Sequence, residues 1–358
     1  MITNQIIDYI LKEKTSILAN GIIDAMQEPP QAIYLVGGYG RGEGAWYEDA
    51  EGLHPYNDFD LAVITDIPLS HDKTEILRKK LANEVGIKWV DIDYYSISQL
   101  TSLTASIHNV DLLEGGKLIY GEDVIKKNGI KLNACEIGKQ DLIILYWTRM
   151  WTFLGSWEGL FHELSVDEAR FFKNQMAKAM LAANDMRLVK LKKYTTSYRE
   201  RAQLIMKEFE NDASICDLTE WAIKEKMRPS SSRMNKTDME KLYFNVKNEY
   251  IHAFEYSMKE DAIFFLNPLK TKSYYLWHTK YYLSHLKSLL KGRKSKVVRG
   301  LDIFYAMNYV FHANQNGCID KKMLKRASNL LIKHGFVNQS TLSWDELRIL
   351  TANARNNI

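Results

Sequence analysis

Tyr34-Leu35-Val36-Gly37-Gly38-Tyr39-Gly40-Arg41-Gly42-Glu43-Gly44, followed by Asn57-Asp58-Phe59-Asp60-Leu61, is the stretch on which the reading of this chain turns. An apolar run at 33–36 delivers the backbone into a loop with five glycines. Glycine lets backbone N–H groups come close to phosphate oxygens, so such a loop suits a triphosphate. Twenty positions after Gly38 comes Asp58, and Asp60 follows it across Phe59 on a short apolar strand. Residues i and i+2 of a strand point to the same face, where two carboxylates repel each other unless a cation lies between them. Aspartate is also disfavoured in strands, so the pair calls for a chemical reason. Loop and acids together point to a metal-dependent nucleotide enzyme.

Two common phosphate motifs do not fit. No Gly-Lys-Ser/Thr ends the loop, as a P-loop would require. The acids arrive as Asp-x-Asp rather than as a lone ribose ligand, unlike the dinucleotide fingerprint. A second acidic strand follows at Trp89-Val90-Asp91-Ile92-Asp93-Tyr94-Tyr95. Asp91 and Asp93 share a face, and the sequence leaves both open as a third ligand. Asp91 is favoured, because Val90 and Ile92 frame it. Three carboxylates around two Mg²⁺ ions about 4 Å apart suit in-line phosphoryl or nucleotidyl transfer.

The chain has 358 residues, long enough for two domains. Hydrophobic residues at 46% and charged residues at 26% are ordinary for a globular protein. A net charge of +4 permits an anionic ligand without demanding nucleic acid. Cys135, Cys216 and Cys318 are far apart and form no CxxC pair, which argues against a zinc site or a disulfide framework. The N-terminus carries no basic segment followed by an apolar core and a cleavage site. The most apolar stretch, 142–154, is interrupted by Arg149 and is too short to cross a bilayer. A cytoplasmic protein without membrane association is the expectation.

Periodicity predicts a helix over 1–27, stopped by Pro29-Pro30, strands at 32–36, 58–64 and 88–95, and a helix over 73–85. Alternating strands and helices argue an α/β (α+β) module with a small mixed sheet over 1–130. From 140 to 209 almost every window has a helical period, with Asp167 expected to cap the helix that carries Glu168. Helices are also expected at 243–257, 274–290, 298–314 and 321–334. Residues 131–358 therefore read as a mostly α-helical domain. If that domain divides, it does so near 230, at the polar tract 229–233.

Taken together, Gly37-Gly38-Tyr39-Gly40-Arg41-Gly42-Glu43, Asp58-Phe59-Asp60-Leu61 and Val90-Asp91-Ile92 resemble the DNA polymerase β-type nucleotidyltransferase superfamily. The resemblance covers about the first 120 residues. It implies that Gly37 and Gly38 hold the triphosphate of an NTP, with ATP as the expected donor. It also implies that Asp58, Asp60 and a later acid bind magnesium, and that pyrophosphate leaves. Two departures stand out. Gly38 occupies a position where many members carry serine, and 46–56 would be an insertion beside the site.

The pattern from Asn174 through Lys178 and Asp185 to Tyr194, Tyr198 and Arg201 resembles the helical domain of aminoglycoside-type members. In that setting Lys178 and Tyr198 are candidates to reach nucleotide phosphates, and Lys173, Arg187 and Arg199 are weaker ones. A small hydroxylated molecule is the acceptor this resemblance favours. A second-messenger or oligonucleotide synthase, or a transferase modifying protein or RNA, would use the same acids. A nucleotide-binding interaction protein that kept the fold is the non-enzymatic alternative.

The remaining motifs read as follows. Arg41, expected in the first turn of a helix after the loop, would add positive charge beside phosphates. Glu43 reads as a helix-start acid favoured by the dipole. Glu158 and Glu163 lie in or just after the aromatic stretch 147–161, and Glu158 is the candidate catalytic base. The basic run 291–299 would be a solvated loop or a polyanion contact, and the aromatics of 243–311 read as core.

Overall fold

Alternation of side chains along three short apolar runs builds a sheet with two different faces. The computed structural model describes residues 4–157, 164–262, 296–338 and 342–355, with 283, 286, 287, 290 and 291. The chain divides into two compact units. The first holds Met1–Gly138, Leu191–Glu210 and Ile223–Ser230; the second holds Lys139–Lys190, Asn211–Ala222 and Ser231–Ile358. Segments well beyond residue 130 thus pack with the N-terminal unit.

In the first unit, helix α1 (Asn4–Ala25) leads into strand β1 (Ala32–Val36) and a single turn, α2 (Gly37–Gly40). A hairpin of β2 (Trp46–Asp49) and β3 (Gly52–Pro55) precedes β4 (Asp58–Ile64), α3 (His71–Val85) and β5 (Trp89–Tyr95). Next come α4 (Ile97–Thr101), α5 (Ile107–Gly115), β6 (Lys117–Gly121) and α6 (Val124–Lys127). The main sheet has the order β5-β4-β1-β6. It is mixed: β1 runs antiparallel to β4 and β6, whereas β4 and β5 are parallel. A parallel neighbour needs a crossover, and α3 supplies it. That helix ends at Gly86, whose φ of 68° provides the left-handed cap.

Phe59, Leu61 and Val63 of β4, with Ile33, Leu35, Val90 and Ile92, form one buried face. They pack in one cluster with Leu18 and Ile22 of α1 and Leu77, Leu81 and Val85 of α3. Ala62 and Ile64 point the other way, clustering with Ala32, Tyr34, Leu100, Leu112 and Val124. By the same period of two, Asp58 and Asp60 share that second face at the start of β4.

The second unit is built of helices: α7 (Lys139–Ser156), most of α8 (Val166–Leu191), the larger part of α10 (Ala213–Met227; α9, Tyr198–Glu208, lies in the first unit) and α11 (Lys236–Met258). Helices α12 (Lys296–Ala313), α13 (Lys321–Lys333) and α14 (Trp344–Arg355) follow. Aromatic rings hold α7 in place. Tyr146 stacks on Phe254 at 3.9 Å and Trp147 on Phe304 at 4.8 Å, while Phe153 meets Tyr243 and Phe311. Tyr243, Tyr250, Phe254, Tyr305 and Phe311 are buried, as expected for core aromatics.

Two local expectations are corrected. Asp167 does not cap α8. Ser165 accepts from the Glu168 amide while Glu168 accepts from the Ser165 amide, a reciprocal capping box, and Asp167 instead pairs with Arg170. The basic run is not all loop: Lys296 onward belongs to α12, and Arg299 lies over the Phe336 ring. Positions 292–295, and most of the helix expected at 274–290, lie outside the described residues. Among those residues, no helix is long and apolar enough to cross a membrane.

Lys247 and His312 of the second unit are both held well below their ordinary pKa values. Lys247, on α11, donates from Nζ to the carbonyls of Phe311 and Asn314, at the C-terminal end of α12. Burial pushes its ammonium down to about 7. Burial and the nearby Lys247 push His312, hydrogen bonded to Tyr146 at 2.7 Å, down to about 3. Both native values lie below the unfolded ones, so the unfolded chain binds more protons between each pair of values. Stability is expected to rise with pH from 7 toward 10.5 as the unfolded lysine loses its proton. Urea midpoints for wild type and Lys247→Met at pH 7 and 9 check this. The rise should be smaller in the variant.

Candidate metal and nucleotide site

Strand pairing brings the third acid to the first two. In the parallel β4–β5 ladder, Asp60 stands beside Asp91 and Asp58 beside Trp89. Asp58, Asp60 and Asp91 each offer a ligand oxygen, all within 4.8 Å of one another, and all three residues are half-buried. Among the described residues, no other group of three or more His, Cys, Asp or Glu side chains converges in this way. Asp93 is exposed and stands opposite Ala62, one pleat further on, so it stays outside the group. Burial raises the Asp91 carboxyl above the usual range. The Trp89 N–H and Arg78 oppose that rise, and the charges of Asp58 and Asp93 add to it. Three oxygen donors and no nitrogen or sulfur suit a hard divalent cation.

The glycine turn abuts these acids. Gly37 has φ +62°, and a Cβ placed there would collide with Oδ2 of Asp60. The backbone therefore lies directly against the carboxylate, at a distance no side chain permits. Gly37→Ala is expected to cost about 1–2 kcal/mol for its left-handed backbone alone, with the carboxylate displaced in addition. Weaker Mn²⁺ binding, read as free Mn²⁺ by electron paramagnetic resonance, would accompany a lower melting temperature. At Gly38 a Cβ would lie 3.2 Å from the Glu43 carbonyl oxygen, so a serine at this position would be crowded. The Glu43 amide closes the turn by donating to Gly38 O at 2.8 Å.

The segment 46–56 folds as the β2–β3 hairpin, and its ends meet. The Tyr56 amide donates to Ala45 O at 2.8 Å. Tyr39, buried in the turn, donates its hydroxyl to Ala45 O at 2.6 Å and accepts from the Tyr56 amide. The hairpin thus closes on itself, which leaves the glycine turn and Asp58 adjacent despite their separation. Before Asp58, Asn57 adopts φ 85° and donates its side-chain amide to Asp58 Oδ1. Asparagine tolerates this left-handed conformation better than most residues.

Arg41 and Glu43 look away from solvent, toward helix α9 (Tyr198–Glu208) of the same unit. Arg41 follows the single turn α2 as its cap rather than opening a helix. Its Nη1 donates to Asp111 Oδ2 at 2.9 Å, and the guanidinium lies over the Tyr198 ring at 4.6 Å. Asp111 also accepts from Tyr194 Oη at 2.8 Å, which accepts from Arg201 at 2.9 Å. Arg201 also lies over the Tyr198 ring, at 4.5 Å. Glu43 is indeed a helix-start acid, but of α9 rather than of a local helix. Its carboxylate accepts from Ser197 Oγ at 2.8 Å, the Tyr198 amide at 2.7 Å and the Arg199 amide at 3.1 Å.

Tyr198, expected from the helical half, therefore belongs to the first unit, in a ring of cations that includes Lys226. Lys178 lies on α8 in the second unit, half-buried. Lys173 donates to the carbonyl and hydroxyl of Ser232, and Arg187 pairs with Glu249. Arg199 is exposed. Glu158 and Glu163 lie outside the described residues. Sequence reading missed Trp89, Arg78 and Asn57 as neighbours of the acids. Only Asn57 carried a local signal, as a turn residue beside Asp58. Comparison of the chain with protein-family models finds no match, and comparison with curated proteins finds no relative.

Proposed function

We propose that the first unit is a magnesium-dependent nucleotidyltransferase that moves a nucleoside monophosphate from an NTP, with ATP the expected donor, to a hydroxyl of a small molecule. One observation carries this reading: Asp58, Asp60 and Asp91 bring ligand oxygens within 4.8 Å of one another, and Asp60 among them lies directly against the backbone of Gly37. The mixed sheet, with parallel β4 and β5 and antiparallel β1, supports an arrangement of the polymerase β type. Polar readings without catalysis account poorly for three mutually repelling acids on one half-buried face.

In this reading Asp58, Asp60 and Asp91 hold the cations. Bound divalent ions supply charge neutralisation for the triphosphate and a lowered pKa for the attacking hydroxyl. The chain itself orients the reaction. The Gly37–Gly38 backbone would line the triphosphate and, lacking side chains, would let it come close to a cation held at Asp60. Asn57 holds one oxygen of Asp58 in place. The acceptor hydroxyl gives up its proton to solvent water, its oxygen attacks the α-phosphorus in line, the bond to the bridging oxygen of the β-phosphate breaks, and pyrophosphate leaves with that electron pair. No covalent enzyme intermediate is required, so positioning and charge complementarity supply the rate.

Incubation with each labelled NTP and Mg²⁺, against a panel of aminoglycosides, tRNA and total protein, tests the proposal. Labelled small-molecule product with stoichiometric pyrophosphate is the expected result. Label on tRNA or protein would redirect the acceptor class. Absence of label and pyrophosphate with every donor would overturn the reading.

A further inference from the structure

Trp89 opens β5, a strand at the edge of the sheet, and leaves 39% of its surface in solvent. Large aromatic residues are usually much better buried, so an exposed indole here needs a reason. Its neighbours supply one. Trp89 stands beside Asp58 in the parallel register and two residues before Asp91, on the same face of the strand. The indole Nε1 donates to Oδ1 of Asp91 at 2.7 Å. From α3, Arg78 brings Nη2 to 3.9 Å from that same oxygen. Arg78 is itself fixed by Glu75 Oε1 at 2.7 Å and the Ile92 carbonyl at 2.8 Å. A hydrogen bond from Trp89 and an ion pair with Arg78, both on rigid elements, therefore converge on one oxygen of the third acid.

We infer that Trp89, backed by Arg78, is a positioning residue that holds Asp91 in a single orientation and reserves its second oxygen for the cation. The inference rests on the metal-dependent reading of the site given above. The physical argument is that a carboxylate on an edge strand has two nearly equivalent ligand oxygens and a free side-chain torsion. An isolated Asp91 would populate several orientations and pay an ordering cost whenever a cation bound. A neutral N–H donor fixes one oxygen without adding positive charge, whereas a second lysine or arginine would compete with the metal. The same hydrogen bond accounts for the exposure of the ring, because an indole that reaches across the strand surface to Asp91 cannot also turn into the core. Partners of this kind, which orient ligands without touching the ion, typically change metal affinity 10- to 100-fold when removed.

Mn²⁺ binding to the full chain without nucleotide, measured from the paramagnetic resonance signal of free Mn²⁺, tests this. Wild type, Trp89→Phe and Asp91→Asn are compared. Trp89→Phe keeps the aromatic character and removes the N–H. It is expected to bind Mn²⁺ 10- to 100-fold more weakly. In transfer assays it should raise the Mg²⁺ concentration needed for half-maximal rate, with most of kcat recovered at saturating Mg²⁺. Equal Mn²⁺ affinity in wild type and Trp89→Phe, with weaker binding in Asp91→Asn, would overturn the positioning role and leave the proposed function standing. Equal binding by wild type and Asp91→Asn, or no binding by either, would remove the metal centre and this role with it. Should Trp89→Phe fail to fold, ¹⁵N-tryptophan-labelled wild type and Asp91→Asn decide. One indole N–H resonance should differ between them and respond to Mg²⁺ in wild type. If no indole resonance responds to either change, the inference fails.

Discussion

On the proposed function, Asp60→Asn is expected to lower nucleotidyl transfer by about 10³-fold or more while making the metal-free protein more stable. The first effect follows from the loss of a shared ligand: metal stabilisation of a transferring phosphoryl group is worth several kcal/mol, and about 4 kcal/mol is a thousandfold in rate. The second follows from repulsion. Three acids whose ligand oxygens lie within 4.8 Å oppose one another when no cation is bound. Each pair is half-buried and partly screened, so removing one charge should relieve about 1 kcal/mol, raising the melting temperature by about 2 °C. Saturating Mg²⁺ should then raise the melting temperature of wild type and leave the variant unchanged. Thermal denaturation with and without Mg²⁺ checks both statements. A destabilised variant that still responds to Mg²⁺ would mean that Asp60 is an ordinary structural carboxylate.

Glu43→Ala is expected to cost about 3 kcal/mol, the largest stability loss among the changes considered. The carboxylate is buried and accepts from one hydroxyl and two backbone amides at the start of α9. Those amides have no acceptor within their own helix, and removal of Glu43 leaves them unsatisfied beside a lost charge–dipole interaction. Ser197 can still cap, because its hydroxyl accepts from the Glu200 amide, so α9 should fray rather than vanish. Glu43→Gln keeps the acceptor oxygen and loses the charge, and about 1 kcal/mol is expected. Urea denaturation gives the free energies. Amide exchange at Tyr198 and Arg199 gives the location, with protection lost in Glu43→Ala and largely kept in Glu43→Gln. The glycine turn should loosen too, because the Glu43 amide closes it through Gly38 O.

Much of the first unit was legible locally. The apolar runs at 32–36 and 58–64 are β1 and β4 with the expected bounds, and the run at 88–95 begins one residue later, at Trp89. The helix expected from 73 begins at His71. The spacing of Asp58 and Asp60 was enough to place them on one face, because strand geometry fixes that relation within three residues. The expected break at 130 was less informative. Segments 191–210 and 223–230 pack with the N-terminal unit, and no local composition announces such a return.

Sequence by itself determined the glycine turn, the acid pair and the apolar faces, all of which are set by interactions over a few residues. The local frame of Val90 and Ile92 favoured Asp91, but only the tertiary structure put Asp91, and not Asp93, beside Asp58 and Asp60. The two differ by one pleat in a parallel register that the whole β4–α3–β5 crossover sets. It alone also gave Glu43 its helix, 154 positions away at Ser197, and gave Arg41 to Asp111 instead of to solvent. Such partners meet through the packing of distant segments, which leaves no period or spacing in the chain to read.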